Sequence, residues 1–424
     1  MAWMDKFRMQ LYEESQAMHL FLDSRGGREF SLKKNSGVLS RVFDGNWKSH
    51  AQETASRDEA ARLLAWANLE RLLPTADRLP ADAGEILEAN AFLSDFLQRL
   101  DLQEWKLFFR AGSVRRLIRN TQRREVQNGF RHFSITARFR MRGQAEELEV
   151  GEGSSEGLKF NLDGLARRVD EAIASRKHCR RVPFRDPVPV VLQAGEGGIL
   201  FHEILGHSLE ADYVHQGISP FTPADLDRPI VSPAITVLCR DERDPFFRNA
   251  VVDDEGEACL SPLLVEKGVL RRFISDYAHQ RLLRLRDRGQ ARLEDFSRIP
   301  QPRIFATYVQ PGSFPAAEII ASVANGVYAR EFGDGGLDFR SGRFFFRIRQ
   351  AYRIERGRLG APLGSLNVGG DIREILGGIR MVGDDFKYDR GVSYCQKNGQ
   401  VLPVRVGQPT IRIDSLWVKG GDDA

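Results

Sequence analysis

The sequence predicts an α+β protein of two domains: a mixed α/β N-terminal domain over 1–184 and a β-rich, mainly antiparallel C-terminal domain over 185–424. Three observations carry this prediction. At 424 residues the chain exceeds what a single hydrophobic core usually holds. Apolar residues at helical spacing are concentrated before residue 178. After residue 234 the pattern changes to short β-like runs punctuated by Gly and Asp-Gly turns, as in strands joined by tight connections.

In chain order, Ser-Arg-Asp-Glu from Ser56 to Glu59 has the form of a capping box and opens an expected helix from Glu59 to Leu73. The same period predicts helices from Glu85 to Leu100 and from Leu162 to Lys177, whereas alternation from Arg131 to Arg142 predicts a half-buried strand. Prolines 183, 187 and 189 mark the stretch from Arg180 to Pro189 as a linker, with the boundary near Phe184. Beyond it, Val188 to Leu192 reads as a strand, Gly195-Glu196-Gly197-Gly198 as a turn, and the segment through Leu209 as a helix. Strands are expected at Ile235 to Cys239, Ile304 to Val309, Arg343 to Arg353, Leu402 to Val406 and Thr410 to Val418, with one helix from Pro315 to Val323.

Composition narrows the function classes. Apolar residues at 42% and charged residues at 28% are an ordinary globular balance. With 62 Lys and Arg against 58 Asp and Glu, a net charge of +4 exerts no general pull towards nucleic acid or anionic lipid. No run of apolar residues is long enough to span a bilayer, and the N-terminus lacks the pattern of a secretory signal, so the expected location is cytoplasmic. Four widely spaced cysteines do not form a disulfide framework and would remain thiols there, available to a metal.

The segment that carries chemistry is Phe201-His202-Glu203-Ile204-Leu205-Gly206-His207. Neutral imidazoles are good zinc ligands, and a carboxylate beside one of them can take a proton from water that the metal has acidified. Histidines four apart share one face of an α-helix; five apart, they diverge by about 140°. A π-type widened turn relieves this divergence, and such turns occur mostly at functional sites, so one is expected here, eased by Gly206. A catalytic zinc site needs a third protein ligand. Glu210, Asp212, His215 and the cysteines are the candidates, of which Cys239 and Cys259 lie in or beside apolar runs and Cys395 lies among turn residues. Spacing does not choose among them. The glycine turn before the helix departs from dinucleotide and Walker patterns and reads as a tight strand-to-helix connection.

The chain resembles the TldD/PmbA metallopeptidases, in the branch that keeps HExxxH. The resemblance is carried by Phe201-His-Glu-Ile-Leu-Gly-His-Ser-Leu-Glu-Ala-Asp212, Val252-Asp-Asp-Glu-Gly256, Gln301-Pro-Arg-Ile-Phe-Ala-Thr-Tyr308, Met381-Val-Gly-Asp-Asp385 and the run from Cys395 to Thr410. These segments occur in family order over about the last 240 residues. The resemblance implies one Zn2+ per chain held by His202, His207 and Cys395, with Glu203 as the catalytic glutamate. It also implies a peptidase acting on short or unfolded peptides inside the cavity of a dimer. The second subunit is either an identical chain or a related one lacking HExxxH, and the substrate is held as an added strand. Arg303, Tyr308, Asp253, Asp254 and Asp384 are further polar residues of the matched segments.

A rival reading comes from the ten arginines between Arg110 and Arg142, set against the single acid Glu125 and interleaved with Phe130, Phe133 and Phe139. Such mixtures form single-strand nucleic-acid surfaces, which would make the chain a nucleic-acid-binding protein with a structural zinc site. Alternation from Arg131 to Arg142 reads more simply as one wetted, charged sheet face. An inactive scaffold subunit is the third alternative.

Overall fold

The structure is a computed structural model that describes residues 7–25, 27–43, 47–53, 83–121, 125–155, 160–179, 184, 187–247, 252–258, 263–391 and 393–420. The helix expected from Glu59 to Leu73, its capping box, most of the expected linker and Cys259 lie outside the described residues.

The N-terminal part is built on one antiparallel sheet of long strands: β1 (Phe7–Asp23), β2 (Arg28–Phe43), β3 (Trp47–Glu53), β4 (Leu102–Asn120), β5 (Val126–Met141) and β6 (Glu147–Ser154). Their order is β3-β2-β1-β4-β5-β6. Helices α1 (Ala83–Gln98) and α2 (Leu162–Lys177) cover one face. Strand alternation sorts β4: Trp105, Leu107 and Phe109 point into the core with Leu93 and Leu97 of α1 and Leu165 and Val169 of α2. Each large apolar side chain buried there contributes about 1.5–3 kcal/mol. Phe108 and Arg110 consequently face the other way. α2 starts where Asn161 accepts a hydrogen bond from the Gly164 amide, and it ends with Arg176 and Lys177 near its carbonyl end.

The C-terminal part is centred on a second sheet, with β7 (Val188–Leu192), β8 (Asn325–Asp338), β9 (Arg343–Glu355), β10 (Arg358–Asp371) and β11 (Ile411–Gly420). β7 lies between β8 and β11, and a further pairing of β10 with β11 closes these five strands into a ring. The pairing is antiparallel except between β7 and β8. A smaller sheet includes Val237–Leu238, Ala306–Val309 and Arg405–Gln408, and Tyr394–Lys397 pairs with Gln400–Pro403 as a hairpin. The helical segment after β7 buries Phe201, Ile204 and Leu205 in one core with Val190, Val327, Ile348 and Ile413 of the ring, which anchors the motif by close packing. No helix among the described residues is long and apolar enough to cross a membrane.

A buried ion network joins the first sheet to the loop over 252–258. Arg116 of β4 reaches Glu13 and Asp254, both at 2.9 Å, and donates to the carbonyls of Leu293 and Glu294. Arg41 of β2 reaches Glu255 at 3.4 Å. Asp254, singled out from the sequence, is therefore part of this junction, and Asp253 accepts from the amides of Glu255, Glu257 and Ala291.

Candidate metal centre

The turn after β7 holds Gly195 at φ +113°, a conformation that suits glycine, and the helix opens at Gly198, packed so closely on the Gly407 backbone that a Cβ would lie 2.7 Å from its nitrogen. These glycines serve the strand-to-helix connection. Helix α3 (Gly198–Phe201) then passes into a π-helical turn over His202–Gly206, closed by a bond from the His207 amide to the His202 carbonyl, and into a 3-10 turn over His207–Leu209. The widened turn expected from the histidine spacing is present. It brings the two imidazoles to one side, their ring centroids 4.9 Å apart.

Gly206 has another role than the one expected. Its backbone is ordinary right-handed helix, with φ −55° and ψ −65°, which any residue adopts. What requires glycine is space: a Cβ there would lie 2.2 Å from Cδ1 of Ile304, which is itself buried. Gly206→Ala is expected to lower unfolding stability by about 1–3 kcal/mol, the usual cost of overpacking a closed core. Denaturant unfolding of the two proteins is the check, and an unchanged midpoint would refute the steric account.

Cys395, carried by the hairpin strand Tyr394–Lys397, comes to the histidines from 188 residues away, its Sγ 3.2 Å from His207 Nε2. One ligand atom from each of His202, His207 and Cys395 lies within 4.8 Å of the others, and all three residues are buried. Among the described residues His202 Nε2 has no hydrogen-bond partner, while its Nδ1 lies 3.4 Å from Thr307 Oγ1. Burial opposes charge on the thiol, yet His207, with His202, holds Cys395 down to about 4. Burial also opposes charge on His207, but Glu210 and Cys395 raise it well above its ordinary value.

Other candidates act around this group. Glu210 lies behind His207, with Oε2 2.9 Å from Nδ1, so that Nε2 is turned to Cys395. Lys397 donates to Glu210 and Asp212, both at 2.7 Å, and to the Pro302 carbonyl at 3.0 Å. His215 packs on His279 instead of joining the cluster. Arg303 donates to the Cys395 carbonyl at 2.7 Å, and the Tyr308 hydroxyl donates to Asp244. Cys239 is buried against Gln290, and burial pushes its thiol up to about 11, the state of an inert core residue. Lys397 and the supporting role of Glu210 escaped the sequence reading; the only local signal was their nearness in sequence to Cys395 and His207.

Glu203 lies one residue from His202 and lines a cavity of about 410 Å3 between the first sheet and the ring. Ile199, Tyr394 and Arg110 line the same space. The arginine-rich stretch is divided among several tasks: Arg116 is buried in the junction, and Arg138, Arg140 and Arg142 pair with Glu149, Glu104 and Asp101.

Residues 185–420 match the family model of the PmbA/TldA metallopeptidase C-terminal domain. A metalloprotease TldD homolog of Buchnera aphidicola is 36% identical over 299 residues, covering 68% of this chain and 62% of that protein. A zinc metalloprotease TldD homolog of Saccharolobus solfataricus is 29% identical over 239 residues, covering 56% of this chain and 53% of its own length. This chain thus spans under two thirds of the length of these relatives. Among solved structures, a Thermotoga maritima protein described as a candidate modulator of a DNA gyrase superposes with TM-score 0.75 at 16% identity, over 98% of this chain and 96% of that one. TldE from Thermococcus kodakarensis gives 0.71 at 14% identity, over 99% and 97%. These two share the fold. By the match over its C-terminal half and by its curated relatives, the chain belongs to the TldD/PmbA metallopeptidase family.

Proposed function

We propose that the chain is a zinc-dependent peptidase that hydrolyses short or unfolded peptides, with His202, His207 and Cys395 as the zinc ligands and Glu203 as the general base. The observation that carries this reading is the convergence of three buried donor atoms within 4.8 Å of one another, next to a cavity walled by Glu203. The donor set fits zinc: two imidazoles and a thiol, one imidazole nitrogen buried without a partner among the described residues, and a Cys395 Sγ to His207 Nε2 separation of 3.2 Å, near the roughly 3.5 Å between ligand atoms of a tetrahedral site. The depressed Cys395 thiol favours the thiolate that binds metal, and a cation would take the place of the His207 proton.

Zinc held there supplies Lewis acidity, polarising a peptide carbonyl and acidifying water. Glu203 accepts the proton of the attacking water and returns it to the departing amine, a base that becomes an acid within one turnover. Glu210 holds His207 in the tautomer that keeps Nε2 free for a ligand, and Arg303 holds the backbone of Cys395. A dimer, with an identical chain or with a related subunit lacking the motif, is the assembly we infer, in the cytoplasm.

Metal content by mass spectrometry, on protein purified without chelators, tests the ligand set. About one zinc per chain is expected in the wild type, lost in both His202→Ala and Cys395→Ala. Wild-type protein that retains no metal would overturn the peptidase reading.

A further inference from the structure

Arg110 differs from the other arginines of the cavity beside Glu203. Arg138 and Arg349 both pair with Glu149, and Arg390 holds Glu196 and Glu331 at 2.9 and 2.8 Å. Arg110 has no carboxylate partner among the described residues and is exposed where it lines the cavity. An uncompensated guanidinium in a polar recess of this size is a ready anion site.

Its direction follows from the strand. Alternation along β4 sends Trp105, Leu107 and Phe109 under the helices, so Phe108 and Arg110 face the cavity. Its position is braced through two further side chains. The guanidinium carbon lies 5.3 Å from the ring centre of Tyr394, within cation–π range. His132 fixes that phenol. Its Nε2 is 2.9 Å from the Gly391 carbonyl oxygen, which can only accept, so Nε2 carries the proton. Nδ1 then accepts from the Tyr394 hydroxyl at 2.9 Å. The phenol's proton is committed to His132, which fixes the ring against Arg110 and leaves the guanidinium N–H groups for the cavity. A guanidinium held in this way loses little freedom on binding.

Three carboxylates of the cavity wall are already neutralised, Glu149 by Arg138 and Arg349 and both Glu196 and Glu331 by Arg390. The guanidinium left for an incoming anion is that of Arg110. Arg110, Tyr394 and Glu203 line the same cavity, so that anion docks in the space Glu203 faces.

We propose that Arg110, braced by Tyr394 and His132, binds a carboxylate of the peptide substrate, supplied by its free C-terminus or by an acidic side chain near the scissile bond. The inference rests on the peptidase reading of this cavity, and its test separates the two. The full chain, loaded with zinc and carrying Glu203→Gln to prevent turnover, is titrated calorimetrically with pentaalanine as the free acid, as the C-terminal amide, and as an amide ending in glutamate. Adding Arg110→Gln is expected to weaken binding of the free acid about 10- to 100-fold, the contribution of a charged, bidentate hydrogen bond. Amidation of the peptide is expected to weaken binding to the Arg110 protein by a similar factor. Recovery with the glutamate-ended amide identifies a side-chain carboxylate as sufficient, and no recovery identifies the C-terminus. Arg110→Lys, with charge but no fork, should recover part of the affinity. Equal affinity with and without Arg110→Gln, or no measurable binding to either protein, would overturn the inference. Wild-type hydrolysis is assayed separately: binding without turnover would overturn the peptidase reading and leave the carboxylate site standing.

Discussion

Glu203→Gln is expected to keep its zinc and lose peptide hydrolysis by about 10²–10⁴-fold, the usual contribution of a positioned general base. Two acids, Glu203 within the histidine pair and Glu210 three residues after it, stand close to the ligands, and the structure separates their tasks. Glu210 is fully buried and committed, bonded to His207 and Lys397. Glu203 is half-buried, lines the cavity, and has no hydrogen-bond or ion-pair partner among the described residues. A base must exchange protons during turnover, which a carboxylate locked between a lysine and a metal ligand cannot do. Glutamine preserves the shape of Glu203 and removes only its basicity, so metal content and fold are controls within the same variant. Steady-state peptide hydrolysis and zinc content measured side by side provide the check. A wild-type rate in the glutamine variant would remove Glu203 from the mechanism.

The parts legible in the sequence were those written in local periodicity. α2 was expected from Leu162 to Lys177 and spans those residues, because its apolar positions, its cap and its basic last turn all agree. The π turn was legible because five-residue spacing of two like ligands is incompatible with a straight α-helix. The first sheet was not: only part of β5 was named, since β4 mixes buried Arg116 with cavity-facing Phe108 and Arg110 and so breaks the apolar alternation that marks a strand. The approach of Cys395 to His207 depends on closing a separation of 188 residues, which no local pattern encodes. The turn-like setting of Cys395 suited a ligand better than the apolar runs of Cys239 and Cys259, but only the resemblance to a family chose it. Lys397 gave no signal for the same reason. A lysine beside Asn-Gly reads as a solvated turn, and its burial is decided by Glu210 and Asp212 arriving from another element.

Lys397→Met is expected to destabilise the protein by about 3–5 kcal/mol and to weaken zinc binding about 10- to 100-fold. The ammonium is 2.7 Å from both Glu210 and Asp212 and bonds the Pro302 carbonyl, so all three of its protons are used. Methionine fills a similar volume and leaves two carboxylates buried side by side without the ammonium that joins them. Burial alone would push Glu210 up, but Lys397 and then His207 hold it down to about 2; without the lysine it loses its main support as an anion. His207 in turn loses the acceptor that orients Nε2, so stability and metal affinity should fall together. Denaturant unfolding and zinc competition titration measure the two quantities, and no change in either would refute the account. Adding Asp212→Asn removes one of the stranded charges while leaving Glu210 in place on His207 Nδ1. Stability should therefore recover in part, and zinc affinity should recover with it only if Glu210 regains its anionic form.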